Sequence, residues 1–151
     1  MNAKSQRYWD DFWRGKNAPT SVMAEQFGYG GLVDELAQLI IEGKKTATCS
    51  AAALYEPEDE LPAVGNYTII LNSNEEPGAI IKTTEVLSIK MNEVTPQLAA
   101  EEGEGDLSYD YWYNSHKEVF ITELARNGMK FSDDMLLLFE RFQLVNVKET
   151  L

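Results

Sequence analysis

The chain holds 151 residues, 44% hydrophobic and 25% charged, with 25 acidic against 13 basic side chains and a net charge of −12. That length suits one domain of the usual ~100–150 residues, and the near-average composition excludes collagen-like, disordered and disulfide-stapled classes. No apolar run approaches the ~20 residues of a membrane-spanning helix, and the start Met1-Asn2-Ala3-Lys4-Ser5-Gln6-Arg7 lacks an apolar signal core, so a soluble cytoplasmic protein is expected. The single cysteine, Cys49, rules out an internal disulfide framework and a multi-cysteine zinc site. Proteins that grip long nucleic acids neutralise phosphates with clustered Lys and Arg. Here the cations are scattered, and Lys44-Lys45 is the only adjacent pair. A small neutral or weakly charged ligand fits that balance better than an RNA chain, and a local basic pocket for one nucleotide is compatible with it.

In chain order, residues 5–14 place Tyr8, Trp9, Phe12 and Trp13 three or four apart, which predicts a helix with one aromatic face packed on the domain. Gly15 and Pro19 end it, and Phe27-Gly28-Tyr29-Gly30-Gly31 reads as a turn. Over residues 32–42, Leu32, Val33, Leu36, Leu39 and Ile40 recur with helical period, and Gly43 is placed to cap that helix. The N-terminal third, about residues 1–42, therefore reads as helical cover for a barrel formed by about residues 43–151.

Beyond Gly43 the period changes. Residues 46–53 are β-compatible but small, and Glu56-Pro57-Glu58-Asp59-Glu60-Leu61-Pro62 is an acidic, proline-bounded loop. Residues 67–71 and 78–89 read as strands joined by a turn over 72–77. A helix is predicted over 92–102, with Thr95-Pro96 as its cap and first-turn pair. The acidic loop Glu102-Gly103-Glu104-Gly105-Asp106 follows. Residues 108–126 predict a long helix with Trp112, His116 and Phe120 on a four-residue ladder, and residues 136–147 close the chain as a strand. Helices, then strands, then helix and strand make an α+β protein, most simply a small barrel or curled sheet under helical cover.

Three places carry candidate chemistry. Gly43-Lys44-Lys45-Thr46-Ala47-Thr48 sits at a helix-to-strand junction and is not a Walker loop, because the glycine-rich lead-in is missing. A lysine three residues before a threonine can place an amine and a hydroxyl in one cleft, where a desolvated, neutral amine takes the hydroxyl proton. Spacing alone favours a surface Lys-Lys pair. The second place, residues 101–106, holds four carboxylates in six positions but lacks the alternation of an EF-hand, which favours a solvated loop. The third is His116, the only histidine, with Ser108 upstream. No Gly-x-Ser-x-Gly elbow accompanies them.

Taken together, these motifs resemble the ASCH (activating-signal-cointegrator homology) family, a branch of the PUA-like β-barrels, and most closely its bacterial stand-alone subgroup. The resemblance rests on Tyr8-Trp9, Phe27-Gly28, Asp34-Glu35-Leu36, Gly43-x-Lys45-x-x-Thr48, Leu61-Pro62-x-x-Gly65, the acidic loop, Ser108, Trp112, His116 and Glu140-Arg141-Phe142. It implies a PUA-like barrel with N-terminal helices and a helix before the last strand covering a cleft. ASCH domains are regarded as RNA-binding modules by analogy with PUA domains. Some bacterial members are described as amidohydrolases that deacetylate N4-acetylcytidine through a lysine, a threonine and a glutamate, and others as ribonucleases.

Carried over by position, the lysine is Lys45, the threonine Thr48 and the glutamate Glu104, with Glu102 the alternative. Tyr55, Glu102, Ser108, Trp112, His116 and Arg141 are then expected to bind substrate, with Trp112 stacking on a base. No metal or other cofactor is expected. The partner is a small nucleoside or nucleotide, with RNA and no membrane as the wider range. The competing reading is a non-catalytic RNA- or nucleotide-binding module, in which Lys45 and Arg141 contact phosphate.

Overall fold

Two apolar runs, Ile69-Ile70-Leu71 and Ala79-Ile80-Ile81, are buried on both faces of one sheet, so each face needs its own cover. The computed structural model describes residues 1–149. In it α1 (Ala3–Phe12) covers one face, where Tyr8 and Trp9 pack on Ile69, Leu71 and Ile80. α2 (Leu32–Ile41) covers the other, where Ala37 and Ile40 pack on Ile70, Ala79, Ile81 and Phe142. The Asn2 side chain accepts from the Ser5 amide and starts α1, as an N-cap should. α2 has no side-chain cap, but Asp34 and Glu35 lie in its first turn, the favourable end of the helix dipole for acids.

The strands are β1 (Val22–Glu25), β2 (Ala47–Ala51), β3 (Tyr67–Leu71), β4 (Pro77–Lys90) and β5 (Leu136–Val147). Their order across the sheet is β1-β3-β4-β5-β2, with β1 parallel to β3 and the other pairs antiparallel. Register shifts at Ile80/Ile81 and Thr83/Glu85 bend the long β4–β5 ladder. The sheet curls without closing, because β1 and β2 remain its edges, so the expected small barrel or curled sheet under helical cover takes the form of a half-barrel.

Beyond β4 the chain makes a short 3₁₀ turn, Met91–Glu93, and then α3 (Pro96–Glu101). The expected helix over 92–102 begins only at Pro96. Proline keeps Thr95 extended, and Thr95 Oγ1 accepts from the Leu98 amide as the cap. α4 (Tyr109–Arg126) starts at Ser108, whose hydroxyl accepts from the Tyr111 amide, and lays Trp112, Phe120 and Leu124 on Ala47, Ala51, Leu137 and Phe139. The N-terminal third is not wholly helical, since β1 lies within it. Among the described residues no helix is long and apolar enough to cross a membrane.

Candidate functional site: a buried lysine–glutamate cleft

Two glycine turns bring the site together. At the end of α2, the Lys44 amide donates to the Leu39 carbonyl at 2.9 Å and the Gly43 amide to the Ile40 carbonyl at 3.0 Å, with Gly43 at φ 75°. This is a Schellman turn, which requires the left-handed conformation at its glycine. The chain leaves it extended, so exposure alternates: Lys44 out, Lys45 in, Thr46 out, Ala47 in. From the other side, the Thr46 amide donates to the Glu101 carbonyl at 2.9 Å and pins the end of α3 to the start of β2. Gly103, at φ 70°, packs so close that a Cβ on it would stand 2.9 Å from Lys45 Cα. The acidic loop is thereby pressed onto Lys45.

Lys45 is 2% exposed. Its Nζ donates to Glu104 Oε2 at 2.9 Å, to Glu102 Oε1 at 3.3 Å and to the Glu102 carbonyl at 3.3 Å. An ammonium has three N–H bonds, so these acceptors satisfy it fully. Both glutamates considered from sequence therefore meet the lysine. Glu102 is the buried one, and Glu104 is half-buried toward the opening.

Burial is the largest influence on Lys45 and pulls its pKa down, but Glu102 and Glu104 together outweigh it and hold the amine above its ordinary value. Glu102 shows the converse. Burial pushes it up, while Lys45, His116 and the Trp112 N–H hold it well below the usual carboxylate range. His116 is raised, because the charge of Glu102 outweighs the desolvation of the ring. Burial pushes the Cys49 thiol well up, with Glu102 adding to the effect.

These groups form the floor of a cavity of about 510 Å³, a size suited to a small organic ligand. Lys45, Thr48, Tyr55, Glu102, Glu104 and His116, all expected from sequence, line it. Three expected residues do not. Trp112 is 2% exposed, donates its indole N–H to Glu102 and stacks on the His116 ring at 4.7 Å, so it holds the floor and offers no face to a base. Arg141 pairs with Glu85 at 2.7 Å and Glu101 at 3.1 Å, outside the cavity lining. Ser108 caps α4, and its hydroxyl is engaged with the Tyr111 amide.

Sequence reasoning missed other lining residues. Tyr111, Ser115, Val119 and Glu123 form the cleft-facing stripe of α4, one position behind the Trp112 ladder. Phe27, Tyr29, Tyr55 and Tyr111 are the lining Phe and Tyr rings that are not buried, and any of them can offer a face to a flat ligand. Cys49 and the acids Glu25 and Glu140 also line the cavity. Burial, and then the charge of Glu25, raise Glu140 to about 7 against a lowering bond from Thr83. Counting lining residues, Glu25, Asp59, Glu102, Glu104, Glu123 and Glu140 face Lys45 as the one Lys or Arg.

An α+β half-barrel with helical cover and a cleft of this kind is the PUA-like class of fold, which is of RNA-binding type. A family model for the ASCH domain matches residues 23–146, and the chain belongs to the ASCH domain family. It is similar to the ASCH domain of Lactobacillus crispatus JV V101, with 31% identity and a TM-score of 0.91 over 95% of each chain. It is also similar to a protein of Enterococcus faecalis V583, with 34% identity and a TM-score of 0.86 over 99% of this chain and 97% of that one. A hypothetical protein at 13% identity and TM-score 0.51, covering 82% of this chain and 97% of that one, shares the fold alone. Among curated proteins none matches.

Proposed function

We propose that the cleft takes a small cytidine-like nucleoside and hydrolyses an acyl amide on its exocyclic N4, with Thr48 as nucleophile, Lys45 as base and Glu104 as the group that releases Lys45. The observation that carries this reading is the position of Lys45, clamped by Glu102 and Glu104 on the floor of a ligand-sized cavity that Thr48 also lines.

In the resting protein Lys45 is an ammonium and not a base. An entering ligand that displaces Glu104, the more exposed partner, leaves burial to lower the amine's proton affinity. Lys45 then takes the Thr48 proton as Oγ1 bonds to the acyl carbon, and returns it to N4 as the C–N bond breaks. Water hydrolyses the acyl-threonine to carboxylate and regenerates the hydroxyl. Tyr111 and Phe27 supply apolar ring faces for the base, and the Tyr55 hydroxyl supplies a polar edge. This route uses no metal, and the reducing cytoplasm is the compartment that suits the lone thiol.

The acidic lining supports a neutral or protonated nucleoside over a phosphate-bearing chain, which would meet six carboxyl-bearing residues for one lysine. The test is turnover of N4-acetylcytidine to cytidine and acetate, measured beside RNA binding across a salt series. Turnover with weak RNA binding is expected. A steep salt slope without nucleoside turnover identifies a nucleic-acid-binding module instead.

A further inference from the structure

Glu102 has more polar neighbours than its ion pair with Lys45 accounts for. Glu102 Oε2 lies 3.4 Å from Cys49 Sγ and 3.3 Å from His116 Nε2, and ligand atoms of the three residues all fall within 4.8 Å of one another. His116 Nδ1 is 2.8 Å from the Trp112 carbonyl, which can only accept, so Nδ1 carries its hydrogen and Nε2 is the nitrogen presented to Glu102. A backbone carbonyl on the far ring nitrogen is how metal-ligating histidines are held in one tautomer. The carboxylate is fixed too, by Lys45 on Oε1 and the Trp112 N–H on Oε2. We propose that Cys49, Glu102 and His116 bind a borderline-soft divalent cation of the Zn²⁺ type, as three protein ligands with a fourth position open to the cavity.

A tetrahedral zinc with bonds of ~2.0–2.3 Å separates its ligand atoms by roughly 3.3–3.7 Å. The two edges that meet at Glu102 have this length already. The Cys49–His116 edge is no longer than 4.8 Å, so it needs a closure of about 1.1–1.5 Å at most, within reach of a side-chain adjustment. Thiolate, imidazole and carboxylate together select Zn²⁺ or Co²⁺ over Mg²⁺ and Ca²⁺, which take oxygen ligands. One thiolate and one carboxylate neutralise the ion, while Lys45 keeps Glu104, its closer partner. Binding sets free the thiol hydrogen and any hydrogen on Nε2, both passed to water as protons. All three ligands line the cavity, so the ion has an entry path and room for a bound water. Thr48 plays no part, and the site does not depend on the hydrolytic reading.

The test uses the full chain, stripped with a chelator, and Co²⁺ as the probe. Saturable one-to-one binding is expected, with a thiolate-to-cobalt charge-transfer band and visible bands of tetrahedral intensity that Zn²⁺ erases. Cys49→Ser is expected to remove the charge-transfer band, and His116→Gln to weaken binding about tenfold or more. Zinc-edge X-ray absorption on the unaltered chain needs no variant, and is expected to show one sulfur neighbour at about 2.3 Å. Absence of saturable Co²⁺ and Zn²⁺ binding at micromolar protein overturns the proposal, and so does a bound ion with only nitrogen and oxygen neighbours. Turnover is not the readout, so this site and the hydrolase reading stand or fall separately.

Discussion

Lys45 Nζ stands 2.9 Å from Glu104 Oε2 across a sequence separation of 59 residues, and its other donors are taken by Glu102. A lysine so held resists deprotonation, and the proposed chemistry therefore depends on which of the two carboxylates can move. Glu104 has 18% side-chain exposure against 2% for Glu102, which makes Glu104 the releasable partner.

Lys45→Met is expected to abolish N4-acetylcytidine turnover and to destabilise the fold by about 3–5 kcal/mol, because it strands buried Glu102 without its cation. Adding Glu102→Gln should recover part of that stability and none of the activity. Thr48→Ala should lose turnover at near-wild-type stability, since Thr48 is only half-buried. Acetate release and denaturant melts separate the effects.

Trp112 and Tyr111 are neighbours with opposite expected phenotypes. Trp112→Ala should cost about 3–5 kcal/mol of stability, as removal of a buried indole does. Tyr111→Ala should leave stability nearly unchanged and weaken nucleoside binding by roughly 1–3 kcal/mol if the ring stacks on the base. Calorimetric titration with cytidine, beside thermal melts, distinguishes the two.

Glu140 gives a pH dependence with a definite sign. Its carboxyl is raised from the ordinary 4.5 to about 7, by burial first and by Glu25 second. The folded protein thus holds this proton more tightly than the unfolded chain. Its contribution to stability is complete below the ordinary value, declines as pH rises through the window, and is gone above about 7. Glu140→Gln should flatten that decline, read as the difference between melting temperatures at pH near 5 and near 8.

Gly103→Ala should be among the most damaging small substitutions. It combines a left-handed backbone with a Cβ driven into the Lys44–Lys45 main chain. A loss of at least about 1–3 kcal/mol is expected. The displaced loop should also release Lys45, seen as a fall in the lysine's pKa by NMR of the ammonium.

Much of the architecture was legible because local patterns and tertiary cover agree. The helical period of Leu32 to Ile40 and the glycine after it place α2 and its terminal turn, and that turn orients Lys45. β1 was not legible. Its four residues pair in parallel with Tyr67 to Ile70, a partner 45 positions away, and Val-Met-Ala-Glu carries no signal of that pairing. The site was half legible. Lys45, Thr48 and the acidic loop could be carried over as a motif, but the role of Trp112 could not, since one step along a helix turns a side chain by ~100° from cleft to core. Arg141 failed for another reason: Glu85 and Glu101, which capture it, come from distant elements.

The contact between residues 45 and 104 also sets a kinetic order. Closing so long a loop carries an entropic penalty that is recovered only when β2 has found β5 and the end of α3 has docked on Thr46. A partly folded chain can hold the β3–β4 hairpin but no cleft. In pulse-labelled hydrogen exchange, the amides of Thr46 and Phe142, which bond to Glu101 and Thr46 across this junction, should gain protection after those of Ile69 and Ile81. Ligand-binding competence should follow the slowest folding phase, which makes binding itself a reporter of completed folding.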